Sequence, residues 1–320
     1  VPLVHVTRRL PAPGIEPLRS AGFTVDLHDD DLPPPRHELL ARVAPADGLV
    51  CTLTERVDAE VLDAAPGLRV VANLAVGIDN VDLEAAADRG VVVTNTPGVL
   101  TEASADLAWT LLLAAARRVP EGDRLVRSGT WAGWAPAELL GRPVWGTTLG
   151  IIGMGAIGTA VARRARGFGM TVLYHNRRRA PAAEAEVGAT YVSLDELFER
   201  SDVVSIHTPL NAESRHLVDA AALAKMKRTA VLVNVGRGPV VDEAALVEAL
   251  RSGEIAAAGL DVYEREPELA AGLAELDNVV LMPHAGSATA AARAAMVDLA
   301  CANVVAVLQG RPALTPVAPG

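Results

Sequence analysis

The chain has 320 residues, half of them hydrophobic and 21% charged, and an excess of acidic groups gives it a formal net charge of −10. That length exceeds what a single core usually serves, so two domains are expected. The acidic balance excludes a general nucleic-acid partner, because phosphate contacts need a basic surface. Cys51 and Cys301 are the only cysteines. They lie far apart without metal-ligand spacing, which points to free, buried thiols in a reducing compartment and to no metal centre. The start of the sequence is strand-like and has no signal-peptide core, and the apolar run near 107–116 is too short to span a bilayer. A soluble, cytoplasmic protein is expected.

The first hundred residues alternate short apolar runs with amphipathic stretches. Strands are predicted at 3–7, 24–27, 48–51, 69–73 and 91–94, with helices near 15–21, 36–43, 59–64 and 83–89. This rhythm reads as parallel βαβ units. A long helix is predicted over 101–119, with Glu102 and Asp106 early and Arg117 and Arg118 late, as the helix dipole favours. A second alternation begins at Leu149, with strands at 150–152, 171–174, 203–206, 230–234, 257–260 and 279–282. That is the set required by a six-stranded doubly wound sheet. A last helix over 289–308 ends at Gly310, with Pro312 as a stop signal.

Between the first two strands of this second set lies Gly153-Met154-Gly155-Ala156-Ile157-Gly158. A strand, a glycine turn and a helix in that order form the phosphate cradle of a dinucleotide-binding unit. Gly153 permits the tight turn, Gly155 lets the backbone approach a pyrophosphate, and Gly158 allows the helix to pack on the strand. The pyrophosphate would sit on the free N–H groups around Ala156 and Ile157. At the end of the next strand, where a carboxylate would hold the ribose of NAD, the chain has Asn176, followed by Arg177, Arg178 and Arg179. Guanidinium groups can grip a 2′-phosphate that a carboxylate would repel, so NADP(H) is favoured over NAD(H). The other reading is an arginine run on a solvated loop.

The fingerprint belongs to the first unit of its domain yet sits mid-chain, so the preceding residues form another domain. The last helix has no place in the second sheet and is expected to return to the first domain. The expected division is 1–99 with 288–320, a flavodoxin-like substrate domain, and 100–287, a dinucleotide-binding Rossmann domain. Substrate and nicotinamide are expected to meet in the cleft where the two face each other.

Three candidates for chemistry follow predicted strands of the second set: Arg237, Glu266 and His284. Reduction of a 2-oxo acid needs a cation for the carboxylate and a proton donor for the emerging alkoxide. The planar fork of arginine suits the first task, and histidine, titrating near neutrality, suits the second. A nearby glutamate would orient the ring and favour its charged form. Each residue alone also has an ordinary reading as a turn, loop or structural residue.

Together, Gly153-Met-Gly-Ala-Ile-Gly158, Asn234-Val-Gly-Arg-Gly238, Leu260-Asp-Val-Tyr-Glu-Arg-Glu-Pro267 and Pro283-His284 resemble the D-isomer-specific 2-hydroxyacid dehydrogenases. The stretches 73–82 and 95–106 resemble that family as well. The resemblance implies an α/β protein of two Rossmann-like, doubly wound parallel-sheet domains, the cofactor domain inserted into a discontinuous substrate domain, and usually a homodimer. It implies that Arg237 binds the substrate carboxylate and carbonyl, that His284 is the general acid and base with Glu266 as partner, and that the amides of Val76 and Gly77 hold the other side of the carboxylate. Thr101 and Asp106 match positions near the cleft, the latter with an equally good reading as helix chemistry. Asp261 matches a contact to the nicotinamide carboxamide, and Gly286 packs beside the reacting ring. His207, Thr208 and Pro209 match the loop along the adenosine half, and Val235 and Gly236 complete the expected cofactor contacts.

Asn176-Arg177-Arg178 resembles the NADP-preferring glyoxylate and hydroxypyruvate reductases of the family. Trp131, Trp134 and Pro136 resemble a loop that in such reductases reaches toward the partner subunit; simple interface packing is the alternative. Phosphoglycerate-dehydrogenase-like and phosphite-dehydrogenase-like enzymes are the runner-up activities, the latter disfavoured because Val76 stands where a lysine would hold phosphite. Corepressor-like binding proteins of the same fold are the alternative from another functional class.

Overall fold

The computed structural model describes residues 1–319, which divide into two compact units, 1–100 with 287–319 and 101–286. In the first unit, β1 (Leu3–Val6), β2 (Thr24–Leu27), β3 (Gly48–Cys51), β4 (Val70–Asn73) and β5 (Val92–Thr94) form a parallel sheet in the order β5-β4-β3-β1-β2. This is the flavodoxin-like winding. The short segment Pro316–Val317 adds an antiparallel edge to β5. β3 and β4 are buried along their whole length, as befits strands covered on both faces.

One covering layer is the helix Ala290–Leu308, which packs on β3 and β4. Its composition would let it cross a bilayer, but Met296, Val297, Ala300, Cys301 and Val304 are buried in this unit. The Arg69 guanidinium donates to the carbonyls of Val307 and Leu308, at 2.9 and 3.2 Å, which ties β4 to the helix C-terminus.

The second unit holds β6 (Thr148–Ile152), β7 (Thr171–His175), β8 (Thr190–Tyr191), β9 (Val203–Ile206), β10 (Val231–Asn234), β11 (Ala257–Leu260) and β12 (Val279–Leu281), all parallel. Their order is β12-β11-β10-β9-β6-β7-β8. The sheet therefore has seven strands where six are predicted. The extra strand, β8, is two residues long and carries no apolar alternation to betray it. Two hydrophobic layers cover the sheet, one built on Leu197, Phe198, Leu223 and Leu246, the other on Leu111, Leu112, Ile151 and Tyr174.

The predicted helix over 101–119 is two helices, Thr101–Ala116 and Val119–Arg127. Arg118 turns the chain with a φ of 54°, and Pro120 cannot donate to a continuing helix, so it starts a new one instead. The first of these helices is buried along Ala105, Ala108, Leu111 and Leu112; the second buries no residue.

Candidate active site

The order of β9, β6 and β7 puts the winding reversal of the second unit beside β6, and the glycine segment begins there. Gly153 has a φ of 98°, and a Cβ on it would lie 2.7 Å from the backbone of His207 and Thr208 in the loop after β9. A Cβ on Gly158 would sit 2.2 Å from the Gly153 carbonyl. Gly155 is different: a Cβ there meets nothing within 4 Å. It is the N-cap of the helix Ala156–Ala165, whose first turn has neither a side-chain cap nor an acidic residue. The amides at Ala156 and Ile157 thus open on unfilled space at the positive end of a helix dipole, an arrangement that fits a pyrophosphate.

Asn176 folds back on this cradle: its Oδ1 accepts the Met154 amide at 2.6 Å. That oxygen shapes the glycine turn and is taken. Of the three following arginines, Arg179 belongs to the framework. It donates to Glu184 at 2.9 and 2.6 Å and lies 5.8 Å over the Tyr191 ring. Tyr174 bonds to the same glutamate and accepts the Ala180 amide, while the Tyr191 hydroxyl donates to the Asn176 carbonyl. These contacts hold the 176–180 loop and leave Arg177 and Arg178 exposed. Arg177 makes an exposed ion pair with Glu213 at 3.2 Å. His207 shares a 2.9 Å hydrogen bond with Ser205, and burial pushes its pKa down to about 3, so the ring is neutral.

The three residues predicted for chemistry follow β10, β11 and β12. Asn234 ends β10 and shapes the next turn: its Oδ1 accepts the Gly236 amide and its Nδ2 donates to the Arg237 carbonyl, both at 3.0 Å. Val235 and Gly236 lie in this turn, and a Cβ on Gly236 would be 3.1 Å from the Thr208 carbonyl. The structure brings Glu266 and His284 together, with His284 Nδ1 2.8 Å from Glu266 Oε2. The other oxygen of Glu266 accepts the Tyr263 amide at 3.1 Å. Burial pushes the Glu266 carboxyl up, but the hydrogen bond and charge of His284, the Tyr263 amide and the Arg237 charge outweigh it and hold the pKa below 4.5.

His284 has a φ of 54°, an unusual conformation for a residue with a side chain. Its amide donates to the Asp261 carbonyl at 2.9 Å. The buried Asp261 carboxylate accepts the amides of Ala285 and Gly286, at 2.6 and 2.8 Å, so both of its oxygens are spent on the loop after His284. Burial nevertheless raises its pKa above the ordinary value. Tyr263, which sequence reasoning passes over, also steadies this region, its hydroxyl donating to the Met282 carbonyl at 2.8 Å.

Thr101 opens the first helix of this unit. Asp106 pairs with Arg164 at 2.7 Å, alongside Glu102, which favours its reading as helix chemistry. Val76 and Gly77 lie in the first unit, after β4. The Ala75 carbonyl accepts the Thr96 amide, the Val76 carbonyl accepts from Asn95, and the Gly77 carbonyl accepts from Asn73. The amides of Val76 and Gly77 have no acceptor among the described residues. With the carbonyls tied back, this turn keeps two unused backbone donors. Trp131 and Trp134 lie in an exposed segment, Trp134 at 84% exposure.

Residues 109–286 match the family model described as D-isomer specific 2-hydroxyacid dehydrogenase, NAD binding domain. Over 313 residues the chain is 52% identical to a glyoxylate reductase of Thermococcus onnurineus, covering 97% of this chain and 93% of that protein. A glyoxylate reductase of Korarchaeum cryptofilum is 51% identical over 97% of this chain and 93% of its own. Among solved structures, a Thermus thermophilus protein superposes with a TM-score of 0.93 at 49% identity, over 98% of this chain and 99% of that one. An NADPH-dependent glyoxylate/hydroxypyruvate reductase of Sinorhizobium meliloti, in complex with NADP and malonate, gives a TM-score of 0.85 at 37% identity over 99% and 97%.

Proposed function

The chain belongs to the D-isomer-specific 2-hydroxyacid dehydrogenases, and on that premise we propose that it reduces a small 2-oxo acid of the glyoxylate or hydroxypyruvate type to the D-2-hydroxy acid, with NADPH preferred. The observation that carries this reading is the His284–Glu266 pair at 2.8 Å, placed with Arg237 at the carboxyl ends of neighbouring strands in the unit that holds the glycine cradle. The relatives named glyoxylate reductase supply the substrate class.

In this reading Arg237 takes the substrate carboxylate through its planar fork, and the open amides of Val76 and Gly77 are an anion-binding nest of the first unit. His284 donates through Nδ1 to Glu266, which leaves Nε2 as the atom that delivers a proton to the developing alkoxide. Glu266, held ionised, accepts from the ring at 2.8 Å and keeps its plane fixed. The nicotinamide coenzyme supplies the hydride when bound. Its pyrophosphate is assigned to Gly155, Ala156 and Ile157, between the close-packed Gly153 and Gly158. Thr101, His207, Thr208, Pro209, Val235, Gly236 and Gly286 are proposed to line the rest of it. Asp261 enters this proposal chiefly as the anchor of the Ala285–Gly286 amides.

Preference for NADPH rests on Arg177 and Arg178, exposed on a loop whose shape is fixed by Tyr174, Tyr191 and Glu184, and on the absence of a carboxylate at Asn176. The NADP-bound relative from Sinorhizobium meliloti agrees with it. A homodimer is proposed as well. Val119, Val126, Trp131, Trp134, Leu140 and Trp145 are exposed within one stretch of chain, and exposed apolar groups of this kind mark association surfaces.

Steady-state kinetics with NADPH and NADH side by side, against glyoxylate, hydroxypyruvate, pyruvate and phenylpyruvate, test the proposal. The expected result is the highest kcat/KM with NADPH and one of the first two acids. NADH preference would reduce Arg177 and Arg178 to a solvated run. Absence of turnover with every acid would overturn the substrate class.

A further inference from the structure

We infer that Glu243, outside the set Arg237, Glu266 and His284, is a positioning residue that holds the Glu266-bearing loop in register with His284. The inference rests on the acid–base reading of Glu266 given above. Glu243 is the first residue of the helix Glu243–Ser252. A carboxylate there would ordinarily sit in solvent and serve the helix dipole. This one is only 5% exposed, and the capping is done by its neighbour Asp242, whose side chain accepts the Ala245 amide.

The Glu243 oxygens are used elsewhere. Oε2 accepts the Glu264 amide and Oε1 the Ala270 amide, each at 2.7 Å. Those two amides lie on either side of Glu266, so one buried carboxylate brackets the irregular segment that carries it. Buried charge is tolerated only when its hydrogen bonds are made, so the bracket and the burial depend on each other. A second contact sets the distance from Arg237. The loop packs so closely on Gly238 that a Cβ there would lie 1.8 Å from the Tyr263 carbonyl. His216 closes the outer side, with Nε2 2.7 Å from Glu264 Oε1 and its amide on the Pro239 carbonyl at 2.8 Å. Glu243 thereby links the turn bearing Arg237, a few residues before it in the chain, to the loop bearing Glu266.

The test is a double-variant cycle on kcat, with the KM for coenzyme measured alongside. Glu243→Gln keeps the shape but puts an NH2 group against a backbone donor. It is expected to lower kcat by about ten- to a hundredfold, as a small misplacement of a catalytic group does. The KM for coenzyme should stay at the wild-type value. In a Glu266→Gln background the same change should cost less than about twofold, because residues acting through one another are not additive. An undiminished loss in that background, or wild-type kcat for Glu243→Gln alone, overturns the inference. Wild-type kcat for Glu266→Gln alone would instead overturn the acid–base reading beneath it. Should Glu243→Gln fail to fold, Glu243→Asp goes through the same cycle, since it keeps the charge and shortens its reach.

Discussion

His284 holds a left-handed backbone conformation, a bonded ring nitrogen and a bonded amide all at once. Such over-determination suits the proton donor proposed above, which then spends no energy on reorientation. His284→Ala should lower kcat by about a hundredfold or more, the usual worth of a general acid. Arg237→Lys should raise the KM for the 2-oxo acid and lower kcat together, because a point charge does not reproduce the fork; initial-rate kinetics would show both. His207 makes a different, purely structural expectation. Its folded pKa of about 3 lies below the ordinary 6.5, so between those values the unfolded chain binds a proton that the folded one does not. Its contribution is present above pH 6.5 and is lost as pH falls toward 3. Thermal midpoints measured from pH 7 to 4 should therefore fall less steeply for His207→Asn than for the wild type.

At the scale of elements, the glycine cradle separates packing from binding. Gly158→Ala forces a clash with the Gly153 carbonyl and should lower both the thermal midpoint and coenzyme affinity. Gly155→Ala meets no protein atom, so its midpoint should match the wild type while fluorescence titration shows weakened coenzyme binding. On the 176–180 loop, the double change Arg177→Ala with Arg178→Ala should raise the KM for NADPH and leave that for NADH in place.

The cradle and most strands are legible in the sequence because their causes are local: apolar runs, glycine spacing, a proline stop. β8 is not, since two residues paired to one neighbour leave no periodic trace. The break after Ala116 was signalled by Pro120 but masked by the apolar rhythm running up to it. The pairing of His284 with Glu266 could be expected only from resemblance, as nothing in an 18-residue separation says that two loops converge. Glu243 and Tyr263 were hidden for the same reason. Their work is done through backbone amides and carbonyls that a sequence does not display. Asn176 was readable as the absence of an acid, whereas its bond to the Met154 amide was not.

At the scale of the whole molecule, the first unit is assembled from both ends of the chain. Its five parallel strands lie in the first hundred residues, but a face of β3 and β4 is covered by Ala290–Leu308. Val304 and Leu308 approach to within 3.3 and 3.4 Å of where a Cβ on Gly48 would stand. This arrangement has a consequence for synthesis. These strands leave the ribosome well before Ala290–Leu308, and until it arrives they present a bare apolar face. The intervening segment owes nothing to either end for its own two hydrophobic layers, so it can finish first. An isolated 101–286 fragment should show a cooperative thermal transition by circular dichroism, while a 1–100 fragment should not. Mixing the latter with a peptide spanning 287–319 should restore one. The order in which this protein becomes itself would then run from the middle outward.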